Sequence, residues 1–203
     1  MSYKPSFFAL LIENVKLLLH ILFFKEKNFK VRSDKSALVI LDPLDEYESI
    51  WHGRKALKKL IDQARDSNVS IIITRWARTA SNPRDQLQSK GHWSTILPTR
   101  GTVMQDVLSW VGEDCPIVDV IFTDAWLNDT FTSLLQGKEE IVFAGMWTEA
   151  CVLNTVRSTA YRSIKPIVCM DACAGHFPHS LHSLCAIQGV FGEVVKSVEF
   201  RSV

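Results

Sequence analysis

Short aliphatic and β-branched runs alternate along most of the chain with segments of helical period. Ala37 to Leu41 is the first such run and predicts a strand. Ile50, Leu57, Leu60, Ile61 and Ala64 then recur at helical spacing and mark one face of a helix. Val69 to Thr74 predicts a second strand, Ile117 to Phe122 a third, Ile141 to Ala144 a fourth, Pro166 to Met170 a fifth and Val194 to Val198 a sixth. Between them, helices are expected from a Thr102 cap through Trp110 and from an Asp129 cap to Gln136, with Gly137 as stop signal. Two more are expected from a Thr148 cap to about Arg162 and from Pro178 to Gly189. Trp76 to Arg100 is polar, irregular and too long for a plain connection, so it is expected to be a loop that helps form a site. Strands joined by helical crossovers build a parallel sheet covered on both faces. Right-handed connections make that sheet a three-layer, doubly wound α/β fold.

The segment before the first strand follows a different pattern. Phe8, Leu11, Val15, Leu18 and Leu22 step by three and four, and Leu10, Leu17, Ile21 and Phe24 widen the same face. This predicts an amphipathic helix over Phe7 to Phe24, with two roles open to it: covering the domain's own core, or acting as an oligomerisation arm. Glu13, Asn14 and Lys16 interrupt its middle, which argues against a signal peptide and against a stable membrane span. Its polar face is thin in Lys and Arg, so lying on a membrane surface ranks third. Lys25 to Lys35 is polar and basic and reads as a linker. The expected organisation is a helical extension with linker over residues 1–35 and one α/β domain over 36–203.

Composition narrows the partners. The 203 residues are 47% apolar and 22% charged, enough for one sizeable core. Lys and Arg number 23 against 22 Asp and Glu, so no charge excess points to nucleic acid. A small-molecule substrate and further copies of the same chain are the expected partners. The five cysteines lack paired zinc spacing, and their odd number implies free thiols in a reducing, cytoplasmic compartment.

The chemistry centres on two strand ends. Ligands of doubly wound sheets bind beyond the carboxyl ends of the strands, where Asp42, Thr74, Arg75 and Cys151 all fall. Cys151 follows the fourth strand in the first turn of the expected helix, where unpaired amides favour a thiolate. Read alone, it is a small buried core residue more often than a nucleophile. Asp42 beside it can take and return the thiol proton, although an Asp there also serves as a turn or helix cap. Trp76, Trp126 and Trp147, with Arg75, are the expected pocket wall, and Trp126 and Trp147 are placed nearest Cys151.

Two segments carry a family resemblance. Ala-Leu-Val-Ile-Leu-Asp at 37 to 42 and Ala-Gly-Met-Trp-Thr-Glu-Ala-Cys-Val at 144 to 152 resemble the signature segments of the isochorismatase-like cysteine hydrolases. The resemblance implies a Rossmann-like sheet of six strands in the order 3-2-1-4-5-6. It also implies an Asp, Lys, Cys triad in which Cys151 attacks a carbonyl carbon to give an acyl-enzyme. A cis peptide before Trp147 is implied too, with the Trp147 and Cys151 amides as oxyanion donors. The chain departs from the family at the lysine. Anchoring on Trp126 and Phe131 puts Ala125 at its position, and no Lys or Arg occurs between Asp114 and Gln136. Arg75, Arg78, Arg84, Lys90 and Arg100 are the cations near enough in sequence to substitute, with Arg75 favoured by its strand end. The segment Asp124-Ala125-Trp126-Leu127-Asn128 also resembles an Asn-Ala-Trp-x-Asn variant of one family subgroup.

The metal ligands of the nicotinamidase branch are missing after the second strand, which reads Thr74-Arg75-Trp76-Ala77-Arg78 with only His92 later. His176, His179 and His182 drift around a helix instead of converging. No metal or cofactor is expected. The reading is a metal-free hydrolase of an amide or related acyl bond. The alternative is a catalytically impaired family member that binds a small molecule or serves assembly.

Overall fold

A computed structural model of the chain describes Val15, residues 28–76 and residues 101–201. The expected helix over Phe7 to Phe24 and most of the Trp76 to Arg100 loop lie outside the described residues. Eight strands are present among the described residues: β1 (Asn28–Arg32), β2 (Ser36–Leu41), β3 (Ser70–Trp76), β4 (Ile117–Val120), β5 (Glu140–Met146), β6 (Lys165–Ala174), β7 (Glu193–Val195) and β8 (Ser197–Arg201). The helices are α1 (Arg54–Asp66), α2 (Gln105–Val111), α3 (Asp129–Leu134), α4 (Leu153–Tyr161) and α5 (His179–Ala186).

Strands β2 to β7 form one parallel sheet in the order β4-β3-β2-β5-β6-β7. Counted along the main sheet this is 3-2-1-4-5-6, the expected Rossmann-like order. The alternation of side chains explains the three layers. Leu38, Ile40, Val142 and Ala144 face Leu57, Leu60, Ile61 and Ala64 of α1 and Val107 of α2. Ala37, Val39, Leu41, Ile141 and Phe143 face the other way, onto Phe131 of α3, Val156 of α4 and Leu184 of α5.

Several elements differ from the sequence reading. The stretch read as a linker contains β1, which pairs in parallel with β8. Phe29 and Val31 alternate with Lys30 and Arg32, and Val31 is buried with Val198 and Phe200; the charged partners in that alternation disguised a half-buried strand. The sixth strand is split at Lys196, with β7 closing the main sheet and β8 leaving it for β1. Asp45–Ile50 is a separate 3-10 turn with Ile50 exposed, and α1 begins only after it. Thr102 does not cap α2, whose cap is Met104. The cap of α3 is Asn128, whose side chain accepts from the Phe131 amide at 3.0 Å, rather than Asp129. Strand β6 outruns its expected end because its pairing with β5 shifts register after Phe143, setting Cys173 and Ala174 beside Gly145 and Met146.

Gly145 fixes how closely β5 approaches β2. Its φ is +125°, and a Cβ there would lie 2.1 Å from the Leu41 carbonyl oxygen and 2.6 Å from the Leu41 nitrogen. Both the dihedral and the contact exclude a side chain. Since Leu41 precedes Asp42 and Gly145 begins the turn to Cys151, this contact sets the separation of the two strand ends. Gly145→Ala is expected to cost ~3 kcal/mol or more in urea unfolding, or to prevent folding altogether.

Candidate active site

Asp42 leaves β2 with φ +50°, and its carbonyl accepts from the Leu44 amide at 2.8 Å. This tight turn buries the carboxyl group instead of releasing it to solvent; the residue is only 2% exposed. The end of β3 supplies its partners. The Thr74 hydroxyl donates to Asp42 Oδ1 at 3.0 Å and accepts from the Asp42 amide at 3.2 Å. The Trp76 amide donates to the same carboxyl group, and so does the Cys151 thiol. Burial raises the Asp42 carboxyl to about 6, and the bonds from Cys151, Thr74 and Trp76 each pull it part of the way back.

Cys151 reaches Asp42 from a turn of unusual pitch. Thr148–Val152 is π-helical, with Trp147 as its cap, and α4 starts only at Leu153. The Trp147 carbonyl accepts from the amides of Ala150 at 2.9 Å and Val152 at 3.2 Å. Thr148 is therefore not the cap that its sequence position suggests. Its hydroxyl is turned inward and donates to the Ala174 carbonyl at 2.9 Å. The Met146–Trp147 peptide bond is cis, as the family resemblance implies.

Aromatic side chains wall the pair. The Trp147 ring stacks on His176 with centroids 4.2 Å apart and planes 8° from parallel, and meets the Tyr47 ring edge-on at 4.9 Å. Burial pushes the Tyr47 phenol well above its usual range, and the negative charge of Asp42, Glu46 and Cys151 acts the same way, against a bond to Trp147. Tyr47 therefore stays neutral and holds its proton beside the carboxyl group. Trp76 is buried in the same core cluster as Cys151.

The remaining expected residues lie elsewhere. Trp126 and Ala125 pack in the cluster on the opposite face of the sheet from Cys151. The Trp126 indole donates to Thr159 Oγ1 at 2.7 Å, and the Ala125 amide donates to Thr155 Oγ1 at 3.2 Å. Arg75 forms a two-pronged pair with Asp119 on the neighbouring strand, at 2.7 and 2.9 Å. Among the described residues, no cationic side chain acts on the Asp42 carboxyl. Arg78, Arg84, Lys90, His92 and Arg100 lie outside the described residues. Also among the described residues, no group of three or more His, Cys, Asp or Glu side chains is arranged for a metal ion. Sequence reasoning missed Tyr47 and Glu149, and weighed His176 only as a metal ligand. Of these only Glu149, inside the Thr-Glu-x-Cys segment, carried a signal.

A parallel sheet in this order, with a buried Asp and a Cys meeting across two strand ends, defines a Rossmann-like domain with a cysteine-centred crevice. The isochorismatase domain model matches residues 36–197, and the chain belongs to the isochorismatase family, whose reaction class is hydrolysis. No curated protein matches it significantly in sequence. Solved structures share the fold. A cysteine hydrolase from Pseudomonas syringae pv. phaseolicola is 20% identical, with 81% of this chain and 90% of that chain covered and a TM-score of 0.67. N-carbamoylsarcosine amidase from Thermoplasma acidophilum is 18% identical, with coverages of 82% and 96% and a TM-score of 0.65. The YcaC gene product of Escherichia coli, described as an octameric hydrolase of unknown specificity, is 19% identical, with coverages of 84% and 77% and a TM-score of 0.64.

The raised Asp42 carboxyl has a thermodynamic signature. A folded-state value of about 6 against 3.8 means the folded protein holds this proton more tightly than the unfolded chain does. The associated stability is complete below pH 3.8 and is lost as the pH rises through about 6. Asp42→Asn keeps an acceptor for Thr74 and Trp76 without the charge. The variant is expected to exceed the wild type in stability by about 3 kcal/mol at pH 7.5 and to match it near pH 3.5, as read from urea unfolding.

Proposed function

We propose that the protein is a metal-free cysteine hydrolase that cleaves an amide or related acyl bond of a small molecule through an acyl-enzyme. The observation that carries this reading is the thiol of Cys151 bonded to a buried Asp42 whose carboxyl is held near 6. Above that pH the carboxylate accepts the thiol proton as the sulfur bonds to the carbonyl carbon. The amides of Trp147 and Cys151 hold the oxyanion, in the roles the family resemblance gives them. Asp42 then passes its proton to the departing amine as the carbon–nitrogen bond breaks. Water attacks the thioester, giving one proton to Asp42, and the thiol leaves and recovers that proton. Trp147 and Tyr47 form the crevice wall, which suits a flat or apolar acyl group; Trp76 extends it. Trp126 and Arg75 act at one remove, through the opposite core and the Asp119 pair. The protein works as a homo-oligomer in the cytoplasm, with the apolar segment Phe7 to Phe24 as the assembly arm.

A second reading has one observation in its favour. Ala125 stands where the family places lysine, and among the described residues no cation reaches Asp42, which suits a member that binds its ligand without turnover. The two readings separate in rapid-mixing assays against a panel of acyl and amide compounds. Hydrolysis predicts a burst that Cys151→Ala abolishes, an acyl mass added to Cys151, and a kcat/KM that rises with pH to a plateau above about 6. Binding without turnover predicts saturable association and no adduct.

The thiols provide a check that needs no substrate. Burial lifts Cys115 to about 11 and Cys169 to about 12, and raises Cys173 and Cys185 as well. Near pH 7.5, iodoacetamide is expected to modify Cys151 first, and the rate should drop at least about tenfold in Asp42→Asn, as followed by peptide mass spectrometry. Equal labelling of all five thiols would count against a nucleophilic Cys151.

A further inference from the structure

The turn that carries Cys151 is fastened to the end of β6 at two successive residues. Thr148 bonds the Ala174 carbonyl, and Glu149 bonds His176, leaving Gly175 between the two anchor points. Glu149 Oε1 accepts from the His176 amide at 2.9 Å and from His176 Nδ1 at 2.8 Å. Backbone and ring of one residue are thereby fixed by a single oxygen. The ring so oriented lies flat on Trp147, 8° from parallel. Glu149 Oε2 is buried without a partner among the described residues, an arrangement that costs about 1–3 kcal/mol. It fits only because residue 175 is glycine, since a Cβ there would sit 2.1 Å from that oxygen. His176 itself is mostly exposed, with 63% of its side chain accessible, so the core does not require it.

We propose that His176 is a positioning residue: locked by Glu149 and stacked on Trp147, it fixes the plane of the Trp147 ring and so the orientation of the backbone amide that receives the oxyanion beside Cys151. The role rests on the hydrolase reading above, in which that amide is a donor. The stack acts on Trp147 and leaves the Asp42–Cys151 bond untouched, so loss of the clamp affects stabilisation of the transition state without changing the reactivity of the thiol.

Two variants break the clamp from different sides. His176→Ala removes the ring. Gly175→Ala keeps both Glu149 and His176 but drives a methyl group into the carboxylate, which lies at the far end of a flexible side chain and swings off His176, with a shift of a few tenths of an ångström at Ser180. Both are expected to lower kcat roughly ten- to a hundredfold with KM within about twofold. Iodoacetamide labelling of Cys151 stays at the wild-type rate and the Tm moves by less than about 2 °C. His176→Phe keeps a ring for the stack without the Glu149 bond and recovers part of the loss. A kcat within about twofold of wild type in both variants overturns the proposal, as does a parallel fall of kcat, labelling and Tm. Should the wild type show no Cys151-dependent turnover, the hydrolase reading fails separately. The clamp is then judged by the Trp147 indole N–H resonance, assigned from its loss in Trp147→Phe. It is expected to shift in His176→Ala and Gly175→Ala, and an unchanged resonance in both overturns the clamp as well.

Discussion

A carboxylate enclosed at the end of a parallel strand resists ionisation, and the crevice is organised around keeping Asp42 in that condition. Three donors from two directions surround it: Thr74 and the Trp76 amide from β3, and Cys151 from the turn after β5. Their bonds are too few to offset the loss of water, so the group stays a weak acid of about 6, able to gain and lose a proton near neutrality. A fully solvated aspartate would be a poor base for a thiol, and one fully compensated by cations would be poorer still. The same burial that penalises folding at neutral pH is what suits the group to the proposed proton transfers, a conflict of the kind expected at functional sites.

The sheet delivers this geometry through a backbone contact. Adjacent parallel strands lie about 4.8 Å apart, and a thiol and a carboxyl group on neighbouring strand ends meet only if that spacing is kept to the strand tips. Gly145 achieves this by letting β5 press onto the Leu41 peptide. The left-handed turn at Asp42 then bends the carboxyl group back under the sheet edge. Neither device is a side-chain interaction: both lie in the backbone, at Gly145 and at Asp42.

What was legible in the sequence follows from where the information is stored. The strands β2 and β5 are continuous aliphatic runs because both of their faces are buried, and such runs announce themselves; so Asp42 and Cys151, which directly follow them, were legible too. The position of Trp126 was not. Which side of a sheet a loop residue joins depends on the path of the chain, and the short turn Ala125–Leu127 carries it over to Thr155 and Thr159. Tyr47 and His176 belong to short segments without a hydrophobic period, and their importance arises from contacts with Trp147 and Glu149, which lie on a different element of the fold. Strand β1 was hidden because its exposed positions are basic, which imitates a linker. Thr148 imitated a helix cap because its sequence position suits one, whereas its hydroxyl is committed to the Ala174 carbonyl across the fold.

That π-helical turn has an evolutionary corollary. Each residue of an α-helix advances the side chain by about 100° around the axis, and the wider turn between Trp147 and Leu153 spreads its residues differently over the same arc. The direction of the Cys151 sulfur is thus encoded in the length of the segment more than in its composition. Point substitutions at Ala150 or Leu153 alter packing and leave the direction alone. Insertion or deletion of a single residue would rotate the thiol away from Asp42 while sparing every residue of the pair. Descendants of this chain are free to drift in side chain along this segment, but they are held to its spacing.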